Sequence, residues 1–207
     1  MEKKFELTNE TKIVNGKTLY RIKALKDFAN IKTGDLGGFV QSEHNLSQNG
    51  NCWIYDDACV FDNAEIFDNA KVFGNAHIYH KACVYGNAKI YGNANIVQNA
   101  CIFGNAVIFG NVVINEYAHI SSNAFINCKK DCFFSLDLEN NYISFFKVKD
   151  GSVEANLFVE DDDGDFENVT FTIKKFREYI ETLESTKKAK FYDLILQLAS
   201  CYFEETL

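Results

Sequence analysis

The sequence predicts a mainly β protein, a parallel β-helix followed by a small α+β domain. Aliphatic residues recur at every sixth position from Ile54 to Ile126, thirteen times without an insertion. A small residue, usually alanine, stands two positions before each of them, with Val112 as the one large exception. A strict period of six over this length predicts a solenoid built of short strands.

The two recurring positions of each hexad, the small residue and the aliphatic residue, predict which way the side chains point. Residues two apart lie on the same face of a strand, so the alanine and the isoleucine point inward together. Between hexads stand dipeptides such as Asp68-Asn69 and Gly104-Asn105, residue types that tolerate turns and left-handed backbone. A long helix with this glycine and asparagine content is untenable. The chain therefore winds as a prism with its aliphatic residues inside.

The hexad Ala-x-Ile-Phe-Gly-Asn resembles the hexapeptide-repeat family of left-handed β-helices, in which three hexads form one triangular coil. This resemblance implies a left-handed parallel β-helix of a little over four coils across residues 52–127. The family contains both acyltransferases and inert scaffolds, so the resemblance is specific as to fold and not as to function.

The segment before the repeat carries a second resemblance. Residues 19–28, 34–40, 45–48 and 52–55 are similar to uncharacterised bacterial and phage or prophage hexapeptide proteins. The likeness implies a phage or prophage origin and supplies no established activity.

Residues 1–51 are predicted to form an N-terminal cap. Short strands are expected at Lys12–Val14, Thr18–Ile22 and Gly37–Val40, with Asn15-Gly16 as a hairpin turn. A cap is needed because the first coil of a solenoid otherwise exposes its core.

Residues 128–207 are predicted to form the small α+β domain, a β-meander followed by two helices. The expected elements are strands at 133–138, 142–148, 152–159 and 166–171 and helices at 173–184 and 189–204. The acidic link at 161–165 is interpreted as a hairpin turn, because it lacks the spacing of an EF-hand calcium loop.

Aromatic residues follow most of the inward aliphatic positions and are expected to form outward ladders. With three hexads per coil, residues 18 apart stack on one side. The predicted interaction surface consists of Tyr55, Phe73, Tyr91 and Phe109 on one side and of Phe67, Tyr85 and Phe103 on another.

Bare aromatic ladders of this size are unusual on monomers, which favours cover by another subunit or by the C-terminal domain. Plain β-propensity is the alternative explanation. The family resemblance implies a homotrimer, and closed symmetry is usual for such an interface.

The charge balance, 21 basic against 29 acidic residues and a net charge of −8, argues against nonspecific nucleic-acid binding. Asp56, Asp57, Asp62 and Asp68 crowd the first coils into an acidic rim, either solvated or able to engage a basic protein groove. The absence of a bilayer-spanning apolar run, of a secretion signal and of a CxxC pair among seven cysteines predicts a cytoplasmic protein with reduced thiols and no membrane contact.

The leading hypothesis for function is a non-catalytic, oligomeric binding or scaffold protein without metal or cofactor. One version inhibits a host defence system by binding a host protein or by sequestering a small nucleotide, for which Lys71 and Lys89 beside the Phe73–Tyr91 ladder could hold a stacked base. The alternative is an acyl-CoA-dependent acyltransferase. Its general base would come from His77, His80 or His119, which are expected to be plain surface residues.

Overall fold

The computed structural model of the protein describes residues 2–136, 142–160, 166–183 and 186–203. The acidic link at 161–165 and the predicted hairpin link at 139–141 lie outside these residues. Within them the molecule is mainly β, with a parallel β-solenoid and two helices near the C-terminus, which confirms the predicted fold class.

The repeat forms thirteen two-residue strands, one per hexad. They are β4 Trp53–Ile54, β5 Cys59–Val60, β6 Glu65–Ile66, β7 Lys71–Val72, β8 His77–Ile78, β9 Cys83–Val84, β10 Lys89–Ile90, β11 Asn95–Ile96, β12 Cys101–Ile102, β13 Val107–Ile108, β14 Val113–Ile114, β15 His119–Ile120 and β16 Phe125–Ile126.

Strands three apart along the chain pair in parallel with a constant offset of 18 residues, as Ile90 with Ile108. Three sheets result, and they are the sides of the prism. The seven-stranded side also contains β1 to β3 and runs β1-β2-β3-β5-β8-β11-β14; the five-stranded side runs β16-β13-β10-β7-β4, and the four-stranded side β15-β12-β9-β6. Three hexads therefore complete one coil, as the resemblance implied.

The inward positions form one continuous core along the prism axis. Every repeated aliphatic residue from Ile54 to Ile126 and every small residue before it is 0 or 1% exposed, Val112 included. Because the small residues leave space at each turn, the chain can bend sharply between strands while the aliphatic residues stack between coils.

The N-terminal segment extends the solenoid as well as capping it. β1 (Phe5–Val14) and β2 (Lys17–Ala24) form an antiparallel hairpin, and β3 (Leu36–Val40) pairs in parallel with β5. Val40 pairs with Val60 and Leu46 with Ile66, at an offset of 20 residues. The solenoid thus begins two strand positions before the regular repeat, and two additional residues in this first coil hide it from a search for a period of six.

A buried lysine closes the first coil. Lys4 is 1% exposed, and its Nζ donates hydrogen bonds to the Cys52 carbonyl oxygen (3.0 Å) and to that of Asn49 (3.3 Å). The rings of Phe5 and Phe28 pack edge-on against Trp53, at 6.4 and 5.4 Å between centroids. Burial lowers the pKa of Lys4. The open end of the core is therefore covered by aromatic rings, and its carbonyl groups are satisfied by an ammonium group.

The C-terminal part consists of an antiparallel sheet and two helices. The strands pair in chain order, and the predicted elements are confirmed to within a few residues: β17 Cys132–Leu136, β18 Tyr142–Lys147, β19 Val153–Glu160, β20 Phe166–Thr172, α1 Ile173–Thr182 and α2 Lys187–Phe203. Phe146 packs into the solenoid core, whereas Phe145 packs against Phe176 of α1. Because the sheet lies between the last coil and the helices, the division into domains 1–51, 52–127 and 128–207 stays a prediction.

The tight corners predict that the stability of the protein depends strongly on glycine at corners where two coils touch. Gly50 has φ +67°, and a Cβ there would lie 2.3 Å from the Asp68 carbonyl oxygen, whereas Gly16, with φ +75°, has nothing within 4 Å. We expect Gly50→Ala to reduce the free energy of unfolding by roughly 3 kcal/mol or more, and Gly16→Ala by about 1 kcal/mol, the cost of left-handed backbone alone. Urea denaturation of both variants tests this; equal losses would contradict the contact seen at Gly50.

Candidate functional site

The seven aromatic residues predicted as an interaction surface lie in rows on two sides of the prism. On the five-stranded side Tyr55 stacks on Phe73 (4.3 Å between centroids) and Tyr91 on Phe109 (5.0 Å). On the four-stranded side Phe67, Tyr85 and Phe103 stack in one row at 4.8 and 5.1 Å. All seven are half-buried. Each ring covers part of the next, so the rows are less bare than the sequence suggested, and cover by another subunit stays a prediction.

The third aromatic row is covered by the chain itself. Phe61 stacks on Tyr79 at 4.8 Å on the seven-stranded side and is only 1% exposed. It belongs to a small cluster with Leu19 and Phe39 of the N-terminal strands. The aromatic rows on the five-stranded and four-stranded sides are therefore the ones that the N-terminal strands leave uncovered.

The acidic rim has a structural role that the sequence did not reveal. Asp56, Asp62 and Asp68 occupy corners with φ between 53° and 57°. Each carboxylate accepts a hydrogen bond from the backbone N–H of the residue 18 positions later, at 2.9 to 3.2 Å. Lys17 pairs with Asp62, and Arg21 lies 3.6 Å from the Asp57 carboxylate. The rim is thus partly neutralised and ties successive coils together.

A polar cluster lies where the C-terminal sheet meets the last coil. Asn156 Nδ2 donates to the hydroxyl oxygens of Ser121 (3.3 Å) and Thr170 (3.0 Å), and these two hydroxyls lie 2.6 Å apart. The backbone N–H of His119 donates to Ser144 Oγ at 3.1 Å. The cluster joins one side of the solenoid to three strands of the sheet.

His119 is buried in this junction, so the expectation that it is a plain surface residue is wrong. It is 6% exposed, and its ring stacks on Phe158 at 3.9 Å. Its Nδ1 atom is buried and has no hydrogen-bond partner among the described residues. Burial lowers the pKa of His119 to about 4, so the imidazole is neutral at pH 7. A base buried under a sheet is poorly placed to exchange a proton with a substrate.

The other two predicted histidines lie on the seven-stranded side. His77 is half-buried beside the Phe61 ring, and burial lowers its pKa. His80 is exposed at a corner with φ 62°, and its ring meets Tyr79 edge-on. Among the residues that the structure describes, neither forms an ion pair with a carboxylate.

A fourth histidine, which the sequence reading passed over, has an acidic partner. His44 Nε2 lies 3.3 Å from Glu65 Oε1, and both side chains are about half exposed, at 54 and 46%. The contact exists because Leu46 bridges to Ile66 in the irregular first coil. With that coil hidden from the repeat pattern, no sequence signal relates residues 44 and 65.

A cleft of about 700 Å³ opens between the solenoid and the C-terminal sheet. Its lining includes Phe125 and Asn123 of the solenoid and Glu154 and Thr172 of the sheet. Glu154 Oε2 is buried and has no hydrogen-bond partner in the described part of the chain. Burial, with the charge of Asp150, raises the pKa of this carboxyl. Clefts of this volume accept small molecules.

A second cleft, of about 620 Å³, lies at the tip of the N-terminal hairpin and is lined by Lys17, Tyr79, His80 and Lys81 among others.

The two lysines that were expected to hold a nucleotide lie on the five-stranded side. Lys71 Nζ donates a hydrogen bond to Asn30 Oδ1 at 3.3 Å. Of the two lysines expected to hold a nucleotide, Lys89 is the exposed one.

The residues that the structure describes contain no group of three or more His, Cys, Asp or Glu side chains arranged to hold a metal ion. No helix among them is long and apolar enough to cross a membrane.

Comparison with known proteins adds one limited similarity. The chain is 43% identical over 42 residues to an uncharacterized acetyltransferase, YdcK, of Escherichia coli (strain K12). The match covers 20% of this chain and 13% of that protein. No protein-family model matches the chain. The repeat, the solenoid and this similarity together fit a hexapeptide-repeat family.

The buried imidazole predicts that the protein loses stability in mild acid. The pKa of His119 is about 4 in the folded state, below its ordinary value of 6.5. The unfolded chain therefore binds a proton first as the pH falls, and stability is lost between about pH 6.5 and 4. We expect this histidine to account for roughly 3 kcal/mol of that loss. His119→Phe, which keeps the stack on Phe158, should flatten the dependence measured by urea denaturation.

His80→Gln is the matched control, because this histidine is exposed. It should keep the pH dependence of the wild type. An unchanged dependence in His119→Phe would show that other groups cause the loss.

Proposed function

We propose that the protein is a non-catalytic, oligomeric binding scaffold that presents rigid sides to a partner. The observation that supports this proposal is the run of thirteen hexads without an inserted loop. Acyltransferases of this fold resemble the chain only in the repeat, and they build an acceptor pocket from loops that interrupt it. Here the regular coils leave flat sides with half-buried aromatic rows.

The proposed setting is the cytoplasm of a bacterium carrying a phage or prophage, with a homotrimer that blocks a host defence protein or holds a nucleotide signal. The phage origin rests on the resemblance of residues 19–55 to phage hexapeptide proteins. The trimer rests on the resemblance to the hexapeptide-repeat family and on the two uncovered rows. A net charge of −8 favours a basic protein surface as partner.

The rows are suited to binding because they are ordered before contact. A stacked ring loses little conformational freedom when a partner covers it, since its neighbours already restrict it. Phe67 and Tyr85 lie nearly parallel, with 5° between their planes. Aromatic side chains are also enriched among the residues that dominate interface energies.

Matched substitutions on the two sides test the proposal. Phe73→Ser changes the five-stranded side and Phe67→Ser the four-stranded side, and both remove a half-buried, stacked phenylalanine. We expect the wild type to capture a defined protein from host lysate, read by mass spectrometry, and one of the two variants to reduce that capture at least tenfold. Circular dichroism and thermal unfolding confirm that both variants fold.

Light scattering on the same samples tests the oligomer. The expected mass at micromolar concentration is three times the chain mass of 23.6 kDa. A strictly monomeric wild type whose capture is insensitive to both substitutions would refute the scaffold proposal.

The second candidate function is an acyl-CoA-dependent acyltransferase. Two observations favour it: the partial similarity to a protein named as an acetyltransferase, and the His44–Glu65 pair. A carboxylate that orients an imidazole is what general-base catalysis requires. Against it, both partners are half exposed, and among the described residues no inserted loop shapes a pocket beside them.

Calorimetry with acetyl-CoA separates the two candidates. The scaffold proposal predicts no saturable heat at ligand concentrations up to about 1 mM, that is, a Kd weaker than this. The acyltransferase predicts binding and acetyl transfer that are lost on substitution of the base, tested with His44→Ala, His77→Ala and His80→Ala. Transfer activity that disappears in one of these and persists in the others would establish the second candidate.

A further inference from the structure

Two free cysteines lie side by side on the four-stranded side of the prism. Cys83 of β9 and Cys101 of β12 are direct partners in parallel register. Both precede an inward residue, so both point outward, and both are half-buried. Neighbouring strands lie about 4.8 Å apart, within the roughly 4.4–6.8 Å between Cα atoms that a disulfide spans. The regular coil thus brings two residues 18 positions apart into bonding range.

The two thiols influence each other's protonation. The neighbouring Cys101 thiol lowers the pKa of Cys83, and the Cys83 thiol, together with burial, raises the pKa of Cys101. Since the thiolate is the reactive form, Cys83 is the sulfur that meets an oxidant first.

Among the described residues, none of the other five cysteines stands opposite a cysteine in the register of two paired strands. Cys52, Cys59 and Cys132 are buried, while Cys128 and Cys201 are exposed and lie in separate elements. Within the described part of the chain, one pair combines partial exposure with register across two strands.

We propose that Cys83 and Cys101 form a dithiol modification site, which a peroxide closes to an intramolecular disulfide. The Cys83 thiolate attacks hydrogen peroxide, and with one proton it gives a sulfenic acid and water. The Cys101 sulfur then displaces the sulfenic hydroxyl, which leaves as a second water with the Cys101 proton. The two sulfurs lose two electrons in total, and the peroxide O–O bond takes them up.

Closing this disulfide changes the four-stranded side. It ties two coils together across an 18-residue segment. The disulfide restricts the unfolded chain by closing this loop, and this stabilises the folded protein. The expected increase in Tm is on the order of 5 °C. The surface around the aromatic row of Phe67, Tyr85 and Phe103 would then differ between the dithiol and the disulfide form. The dithiol site does not rest on the proposed scaffold function.

Peptide mapping of the full chain tests the site. Reduced protein is treated with one equivalent of hydrogen peroxide, alkylated and digested without reduction. We expect a linked pair of peptides that contain Cys83 and Cys101, and a loss of two titratable thiols. In Cys101→Ser the resolving thiol is gone, so dimedone should trap a sulfenic acid at Cys83.

Cys128→Ser is the matched control, because it removes an exposed cysteine outside the pair and should leave the linked peptides unchanged. Protein unfolded in urea should lose the preference for this pair. The site is refuted if Cys83 and Cys101 remain free while Cys128 or Cys201 oxidise in the folded wild type. It is equally refuted if the disulfides that form are random in partner.

Discussion

The register between coils is the constraint on which this molecule depends. In the regular repeat each strand pairs with the strand 18 residues later, so these coils all close with the same number of residues. Small inward residues permit the sharp corners, and left-handed corner residues such as Asp56 and Gly92 turn the chain there. The first coil contains two additional residues and pairs at an offset of 20, while the later coils keep 18. The aromatic rows, the corner carboxylates and the Cys83–Cys101 pair are all consequences of this one repeat.

A solenoid so regular has to solve a problem at each end, and the two solutions differ. At the first coil the chain uses Lys4 and aromatic rings around Trp53. At the last coil it uses an antiparallel sheet, whose Phe146 completes the core. This second solution buries His119 and the polar cluster around Asn156, because the sheet covers strand positions that face water elsewhere on the prism.

The regularity also limits the chemistry. A catalytic pocket on a prism needs side chains that converge, while parallel sides spread them apart. In the part of the chain that the structure describes, side chains converge where the repeat is broken: at the irregular first coil, which brings His44 to Glu65, and at the junction cleft beside Glu154. The uninterrupted sides are better suited to extended contact with a partner.

The sequence by itself determined which residues point inward and which point outward, because a period of six fixes the direction of each side chain. The three sides and the rows of aromatic residues 18 apart were implied by the resemblance to the hexapeptide-repeat family. The sequence also predicted the elements after residue 128, whose alternation and caps are local signals. Only the tertiary structure decided the first coil, where two extra residues break the period, and the burial of His119, which occupies the same repeat position as the exposed Lys89. The tertiary structure also decided the role of Asp56, Asp62 and Asp68, whose carboxylates accept hydrogen bonds from the next coil. Each of these depends on contacts between segments distant along the chain, which local patterns do not encode.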